Sequence, residues 1–391
     1  MNTLLVTAGW STKDRLELVG IGALVGMIAA AQLSIAVAQI LLTVAGICWF
    51  ILHVTRRERV EAPEFFWPLV GYSAVTLLSA GFSLDPRASL EDCKQLSLFL
   101  LVPIVFDFAR GTRARGMLTI VLTAGAASAL VGIVQYSILN FDTLERRVQG
   151  TLSHWMTYSG TLMLVICAAV ARLLYDMRDR GWAAVVIPAL IVSLLLTFTR
   201  SAMVGLAAGV GMLLLLRDMR LVGILPIAAA VVLALAPTDL TRRIYSTIDL
   251  NDPTNRDRVA MARAGVEIVR DHPLTGVGPD MIKRVYPDYR VATALMPVAP
   301  HLHNVPLQIA AERGLPALGM WLWFVASALF GLFKLLGRTR HRVLVAAALG
   351  VFVAMLTAGM FEYNFGDSEF LMLFLVLITL PFAANRDGGL P

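Results

Sequence analysis

The sequence predicts an all-α polytopic membrane protein with one large helical lobe on the outer side of the membrane. Hydrophobic residues make up 58% of the 391 residues and charged residues only 15%, with a mean hydropathy of +0.73. Soluble domains are about one-quarter charged, so this composition excludes an ordinary soluble enzyme. Apolar stretches recur along the chain, and one long polar segment, Pro237 to Pro300, interrupts them.

About twelve apolar stretches, roughly 15 to 22 residues each, are long enough to cross the hydrocarbon layer as helices. They centre near Gly26, Leu42, Ala74, Leu101, Ala126, Val165, Leu190, Gly209, Ala229, Phe324, Leu349 and Leu375. We therefore expect about twelve transmembrane helices in three parts. Helices 1–9 fall in residues 1–236, the outer lobe with the catalytic residues in 237–314, and helices 10–12 with a short tail in 315–391.

The charges of the short turns predict the orientation in the membrane, because lysine and arginine accumulate on the cytoplasmic side. Alternate turns are basic, at Lys13, Arg15, Arg56, Arg57, Arg59, Arg110, Arg113, Arg115, Arg172, Arg178, Arg180, Arg217, Arg220, Lys334, Arg338, Arg340 and Arg342. Both termini are therefore expected in the cytoplasm and the polar segment outside. The first apolar stretch continues into a second, as expected of an ordinary span and not of a cleavable signal. The net charge of +6 reflects this topology, and nucleic acid is not an expected partner.

Arg200 lies between two apolar stretches with almost no loop, in Thr197-Phe-Thr-Arg-Ser201. A charge at this depth is costly and normally faces a polar cavity or a partner. An arginine can also extend to lipid phosphates, so a purely structural role stays open. The neighbouring hydroxyl side chains favour a polar pocket.

The main helix of the outer lobe is predicted to begin near Thr254. Asp252-Pro253 is a helix start signal, and Thr254-x-x-Asp257 resembles a capping box. Four residues recur at helical spacing and predict the buried face: Val259, Ala262, Val266 and Val269.

This helix is rich in arginine, at Arg256, Arg258, Arg263 and Arg270. One interpretation is an amphipathic helix at the membrane surface, with its arginines among lipid headgroups. The other is a phosphate site, because the guanidinium group binds phosphate oxygens in pairs. The first interpretation explains less well why the arginines cluster beside His301 and His303. A basic outer lobe at the bilayer surface would suit a lipid diphosphate substrate.

The segment His301-Leu-His303-Asn304 ends the polar stretch, just before the apolar helices resume. A histidine that titrates near neutral pH can act as a general base. A His-x-His pair can also bind metal, but the nearest acid in sequence is Glu312, nine residues after His303. A general base is favoured over a structural or metal-binding histidine.

Two further outer segments carry polar side chains. His154, Trp155 and Tyr158 lie where a span begins, and they either line the same cavity or form an interfacial aromatic belt. Glu362 and two other acids bracket the last outer turn and are candidates to pair with lobe arginines; the other two are Asp367 and Glu369.

These landmarks resemble the O-antigen ligase family, which shares its architecture with O-antigen polymerases and bacterial O-oligosaccharyltransferases. The family motif is His, then Asn, Ser or Gln, nine residues, Gly, two residues, and Gly, Thr or Tyr. Here it reads His303-Asn304, nine residues, Gly314-Leu-Pro-Ala317, so only Ala317 departs from the pattern.

Two more landmarks extend the resemblance to roughly Gly150–Gly319. The family has an arginine followed four residues later by leucine, and here Arg200 is followed by Val204. The stretches Arg258 to Gly265 and His272 to Gly278 resemble the helix and turn of the family's outer loop.

The resemblance implies a glycosyltransferase with a GT-C-like fold that uses no nucleotide sugar. Its donor would be a glycan on undecaprenyl diphosphate and its acceptor a lipid A–core sugar, at the periplasmic face of a Gram-negative inner membrane. His303 would be the general base, and Arg200 and Arg258 would hold the diphosphate. Further candidate cavity residues are His301, Asn304, His154, Tyr158, Arg256 and Arg263.

No cofactor is expected. Related membrane glycosyltransferases often use an Asp-x-Asp in the first outer loop, whereas here that loop, Ala31 to Ser34, contains no acid. The expected transfer is therefore independent of metal and inverts the anomeric carbon.

Three other functions stay open. An O-antigen polymerase would use the same donor with a second lipid-linked glycan as acceptor. A protein O-oligosaccharyltransferase is disfavoured because such enzymes often have an extra C-terminal region, and this chain ends soon after its last span. A transporter is disfavoured because the charges cluster at span ends and no internal symmetry is visible.

Overall fold

The structure is a computed structural model that describes residues 12–143, 145–235, 238–249 and 251–386. Within these ranges the chain is helical, and its single β-type contact is a bridge between Asp142 and Arg147. The helices are α1 (Thr12–Ala30), α2 (Ile35–Arg56), α3 (Phe66–Gly81), α4 (Pro86–Asp92), α5 (Leu101–Phe108), α6 (Arg113–Ser137), α7 (Trp155–Tyr175), α8 (Arg180–Leu196), α9 (Arg200–Arg217), α10 (Ile224–Leu235), α11 (Thr238–Tyr245), α12 (Pro253–Asp271), α13 (Ile282–Tyr289), α14 (Val305–Leu336), α15 (Arg342–Gly359) and α16 (Ser368–Ala384). Short 3-10 segments lie at Cys93–Leu100, Met219–Gly223 and Asn364–Gly366.

Six of the helices in the described ranges are long and apolar enough to cross a membrane: α2, α6, α7, α9, α14 and α15. Shorter apolar helices are α3, α8, α16 and the segment Met219–Leu235. The all-α class is confirmed, and the apolar helices agree with a multi-pass membrane protein. The count of twelve spans and the GT-C-like fold stay predictions. The predicted span near Leu101 is divided between the 3-10 segment Cys93–Leu100 and α5, which has only eight residues. An α-helix of eight residues is too short to cross the hydrocarbon layer by itself.

Helices α7, α15 and α16 form the centre of the apolar bundle, and α9 packs closely against α15. Gly205 and Gly209 of α9 face the backbone carbonyls of Ala354 and Gly350, where an added Cβ atom would clash. Small residues four apart allow membrane helices to approach this closely. The contact fixes α9, whose first residue is Arg200, relative to the rest of the bundle.

The lobe has its own apolar core, formed by α12, α13 and the first part of α14. The predicted buried face of α12 was wrong, because Val259 and Val266 are 44% and 42% exposed. The buried face instead consists of Ala260, Met261, Ala264, Gly265 and Ile268. Its small side chains leave room for larger side chains of the His301–α14 segment, including Leu302 and Leu307.

The helix start signal at Asp252-Pro253 is confirmed, but the capping box is not made. The Asp252 carboxylate accepts hydrogen bonds from the amides of Thr254 and Asn255, so Asp252 caps α12. Asp257 instead accepts hydrogen bonds from the amides of Leu295 and Met296, and so holds the loop that follows α13 against α12.

Gly314 interrupts α14 with φ 80° and ψ 169°, a conformation that glycine adopts without steric cost. An added Cβ would clash with the carbonyl of Leu274. The amide of Leu315 donates to the carbonyl of Pro273 at 2.8 Å, so the turn after α12 packs directly on the break. The division into residues 1–236, 237–314 and 315–391 stays a prediction, and its first boundary, 236–237, lies outside the described residues.

Candidate active site

The two histidines lie side by side above the start of α14. Leu302, between them, is 1% exposed in the lobe core, and its amide donates to Oε1 of Gln308 at 2.7 Å. The rings of His301 and His303 have centroids 4.2 Å apart. His303 has φ 50°, a left-handed conformation that is uncommon outside glycine and costs free energy. The buried Leu302 and the α14 cap therefore hold the imidazole of His303 in a defined position.

Asn304 supplies that cap. Its Oδ1 accepts from the amide of Leu307 at 2.9 Å, and its Nδ2 donates to the carbonyl of Met360 at 3.1 Å. One side chain thus satisfies an amide at the start of α14 and connects it to the loop after α15. Asn304 therefore positions the start of α14 next to the loop after α15.

The loop after α15 brings Glu362 between the two histidines. Nε2 of His301 lies 2.9 Å from Oε1, and Nδ1 of His303 lies 3.1 Å from Oε2. Burial alone would raise the pKa of Glu362, but the adjacent His303 and His301 hold it below its usual range. Glu362 is therefore a carboxylate that contacts histidines and not, as expected, a hydrogen-bond partner of lobe arginines.

The pairing determines which nitrogen of His303 is available for chemistry. A carboxylate that accepts from Nδ1–H fixes the tautomer and leaves the Nε2 lone pair free in the neutral ring. The same carboxylate stabilises the imidazolium that forms when Nε2 takes a proton. This arrangement is suited to a general base.

Arg258 lies on α12, where its charge interacts with that of Glu362, and its side chain is half-buried. Its Nε is buried, with no hydrogen-bond partner among the described residues. Burial lowers the pKa of Arg258, the charge of Glu362 opposes that shift, and the charge of Arg200 adds to it. A half-buried cation whose buried Nε has no partner in the described chain is a candidate for binding an anion.

Arg200 is 5% exposed, and both of its terminal nitrogens have protein partners. Nη1 donates to the carbonyl and hydroxyl oxygens of Ser246 at 2.7 and 2.8 Å. Nη2 donates to Oδ1 of Asp252 and Oδ1 of Asn255, each at 3.1 Å. Arg200 therefore docks the beginning of the lobe onto α9.

Two arginines that the sequence reasoning missed complete a basic group. Nη1 of Arg243 lies 3.9 Å from Oδ2 of Asp252, and its Nε is buried with no partner in the described chain. Burial, followed by the charges of Arg200 and Arg147, lowers the pKa of Arg243 to about 10. Arg147 lies over the Trp155 ring, 5.1 Å from its centroid.

We call Arg147, Arg200, Arg243 and Arg258 the arginine cluster. Besides burial, the charge of Arg200 lowers the pKa of the other three arginines, so the four positive charges repel one another. An anion bound between them would relieve this repulsion. Arg243 could have been found from the sequence, because it lies in the amphipathic helix α11. Arg147 lies in the loop between α6 and α7, where no periodic pattern marks it.

Of the remaining residues expected in the cavity, only His154 lies close to the site. It caps α7, because its Nδ1 accepts from the amide of Met156 at 3.1 Å. Burial lowers the pKa of His154, against the opposing charges of Glu362 and Asp367. It also stacks on Trp155, with ring centroids 4.0 Å apart.

The structure does not bring Tyr158, Arg256 or Arg263 into the site. Tyr158 is fully buried, and its hydroxyl is 2.8 Å from the Ser128 carbonyl and 2.7 Å from Oγ of Ser193, so it joins α6, α7 and α8. Arg256 and Arg263 lie exposed on the outer face of α12.

His301, His303 and Glu362 also form a possible set of metal ligands. One ligand atom from each lies within 4.8 Å of the others. No acid lies close to His301 and His303 in the sequence, but the fold brings the carboxylate of Glu362 to them as a third possible ligand. Transfer without metal stays a prediction.

Comparison with known proteins agrees with these landmarks. Residues 183–322 match a protein family described as O-Antigen ligase. The match runs from α8 to α14 and contains Arg200, Arg258 and His303, whereas Glu362 lies beyond it. No curated protein matches the chain. The resemblance to the O-antigen ligase family is therefore confirmed over residues 183–322, and it supports a sugar-transfer enzyme in general terms.

Proposed function

We propose that this protein is an O-antigen ligase of a Gram-negative inner membrane. It transfers O-antigen polysaccharide from undecaprenyl diphosphate to a sugar hydroxyl of lipid A–core at the periplasmic face. The observation that carries the proposal is the pairing of His303 with Glu362 beside the arginine cluster. His303 and three of the four arginines lie within the residues that match the O-antigen ligase family.

The proposed reaction is a single displacement at the anomeric carbon of the donor. The acceptor hydroxyl gives its proton to Nε2 of His303 while its oxygen forms the new bond to that carbon. The bond from carbon to the diphosphate oxygen breaks, and its electron pair leaves with the diphosphate. Attack opposite the leaving group inverts the carbon. A sugar hydroxyl is a weak nucleophile, and a positioned base accelerates such steps by about 10² to 10⁴.

The arginine cluster supplies positive charge where the leaving diphosphate gains negative charge. Fixed donors aimed at developing charge are worth more in a buried site than in water. Arg258 and Arg243 each have a buried Nε without a partner in the described chain. Arg200 would join them by exchanging Asp252 for a phosphate oxygen. Guanidinium groups can provide this charge without a metal ion.

The predicted orientation supports a periplasmic site. His154, Arg200 and Asn304 stand at the N-terminal ends of α7, α9 and α14, which belong to the same apolar bundle. The basic turns expected in the cytoplasm lie at the other ends of these helices, for example at Arg172, Arg217 and Lys334.

The decisive experiment removes the gene from a smooth Gram-negative strain and follows lipopolysaccharide on gels together with the lipid-linked glycans. We expect core without repeats, and polymer accumulating on undecaprenyl diphosphate. Core with a single repeat would instead indicate a polymerase. An unchanged profile would contradict both and point to protein glycosylation or transport.

Complementation connects the phenotype to the site. We expect the wild-type gene to restore the ladder and His303→Ala to fail at equal protein level. His272→Ala is the matched control, because His272 is also a lobe histidine but lies exposed at the end of α12. Restoration by His303→Ala would exclude the general-base role.

A further inference from the structure

A cavity lies at the end of α14 opposite to the histidines, and its volume is about 760 Å³. Its walls come from the last turns of α14, the end of α16, the residues before α3 and the start of α6. At 1.5 Å per residue, the part of α14 that follows the break at Gly314 is alone about 33 Å long. The cavity is therefore distinct from the candidate active site, and its size is typical of ligand sites.

The cavity has two chemically different parts. Its apolar wall includes Phe106, Phe330 and Phe382. Phe330 is 69% exposed on the outside of the helix bundle, so this wall is open towards the surrounding lipid. The other part is basic and is lined by Lys334, Arg338, Arg340, His341 and Arg386.

The positive charge of the basic part is largely unbalanced. Glu64 is the one acid that lines the cavity in the described chain. Arg386 is already engaged, with Asp107 and with Glu61 at 2.6 Å. Lys334, Arg338 and Arg340, in contrast, form no ion pair among the residues that the structure describes.

The start of α6 adds to this potential. Gly111 and Thr112 line the cavity, and α6 begins at Arg113 without a side-chain cap. The amide groups and the dipole at the start of a helix favour a negative charge. Cations and helix amides thus converge on one side of a cavity whose other side is aromatic.

We propose that this cavity binds an anionic phospholipid. The phosphate lies among Lys334, Arg338 and Arg340, and an acyl chain lies along Phe330 and Phe382. A soluble anion would leave the aromatic wall uncovered, and an uncharged lipid would leave three cations without a partner. The basic turns are predicted to face the cytoplasm, where anionic lipids concentrate and attract lysine and arginine near the bilayer surface.

The test uses the full chain in nanodiscs that contain phosphatidylethanolamine and phosphatidylglycerol. Native mass spectrometry after detergent extraction measures which lipid stays bound. We expect the wild-type protein to retain phosphatidylglycerol preferentially. The triple variant Lys334→Gln, Arg338→Gln, Arg340→Gln should lose this retention by about tenfold or more, because each cation contributes to binding the phosphate.

Two further variants make the result specific. Arg178→Gln, Arg180→Gln, Arg220→Gln removes the same charge from exposed positions outside the cavity and should retain the lipid. Ser327→Phe fills the cavity without changing its charge and should reduce retention. This variant decides the question if the triple cavity variant fails to fold.

Three outcomes would overturn the proposal. The first is equal loss of phosphatidylglycerol in the cavity and control triples, which would indicate a general charge effect. The second is a wild-type protein without preference for phosphatidylglycerol. The third is displacement of the lipid by inorganic phosphate alone, which would indicate a soluble anion as the occupant. None of these outcomes bears on sugar transfer, because the variants leave the histidines and the arginine cluster unchanged.

Discussion

Nδ1 of His303 lies 3.1 Å from Oε2 of Glu362, although 59 positions separate the two residues in the chain. His303 comes from the segment that matches the O-antigen ligase family, and Glu362 comes from the turn between α15 and α16, beyond that segment. The proposed base therefore depends on a residue contributed by a different part of the fold.

Glu362→Gln should lower transfer by about 10- to 100-fold, as removing a residue that orients a functional histidine commonly does. The loss should appear in kcat and not in KM, because Glu362 orients the imidazole and stabilises the imidazolium that forms during transfer. Initial rates of the purified enzyme over a range of substrate concentrations measure both parameters. Glu91→Gln, an exposed acid outside the site, is the control. An unchanged kcat would reduce Glu362 to a structural role.

Arg200→Ala and Arg258→Ala should separate stability from activity. Removing the buried Arg200 leaves Asp252 without its closest cation, a loss that typically costs about 3–5 kcal/mol. Faster proteolysis within the lobe and a lower Tm should follow. Arg258→Ala should keep a near-normal Tm and lose transfer. The assignment fails if Arg258→Ala retains transfer or if Arg200→Ala unfolds like the wild type.

Gly314→Ala should destabilise the lobe. Alanine at φ 80° costs about 1–2 kcal/mol, and its Cβ would also clash with the Leu274 carbonyl. Gly319→Ala is the matched control on the same helix, because an added Cβ there meets nothing within 4 Å. This control should be neutral or stabilising. Thermal unfolding in detergent distinguishes the variants, and equal Tm values would contradict the inferred strain.

The lowered pKa of Glu362 predicts a specific acid sensitivity. A carboxyl group whose pKa is depressed by folding contributes stability above its ordinary value of 4.5, and this contribution is lost as the pH falls through the folded value. Each unit of depression corresponds to about 1.4 kcal/mol. The wild type should therefore lose more Tm than Glu362→Gln as the pH falls from about 5 to about 3. Parallel losses would contradict the prediction.

Chelation tests the metal-free mechanism. EDTA should leave transfer by the purified enzyme unchanged, because the arginine cluster supplies the charge needed at the leaving group. Elemental analysis of the same sample should show no metal in proportion to protein. Activity that disappears with EDTA and returns with Mg²⁺ or Mn²⁺ would assign His301, His303 and Glu362 to a metal site instead.

The sequence predicted the helical class and singled out part of the candidate site because both leave local signals. Hydropathy identifies long apolar helices, and Asp252-Pro253 identifies the start of α12. His303 and Arg200 stand in motifs of fixed spacing, and Arg258 stands in a stretch that resembles the outer-loop helix of the family. The buried face of α12 was mistaken because the valines suggested it, whereas close packing selected the smaller Ala264 and Gly265.

Other parts of the site leave no such signal. Glu362 is one of three acids near the last outer turn, and only the fold selects it as the partner of the histidines. The partners of Arg200, such as Ser246 and Asp252, likewise depend on how the lobe docks on α9. Contacts between distant segments arise from tertiary packing, which periodicity within one segment does not encode.

The nine residues between Asn304 and Gly314 fix both the distance and the rotation about the helix axis between the histidines and the break in α14. They make about two and a half helical turns, with a cap at one end and a break at the other. One inserted or deleted residue would rotate the histidines by about 100° relative to the break and separate them from Glu362. This segment should therefore tolerate replacement of its exposed side chains far better than any change in its length.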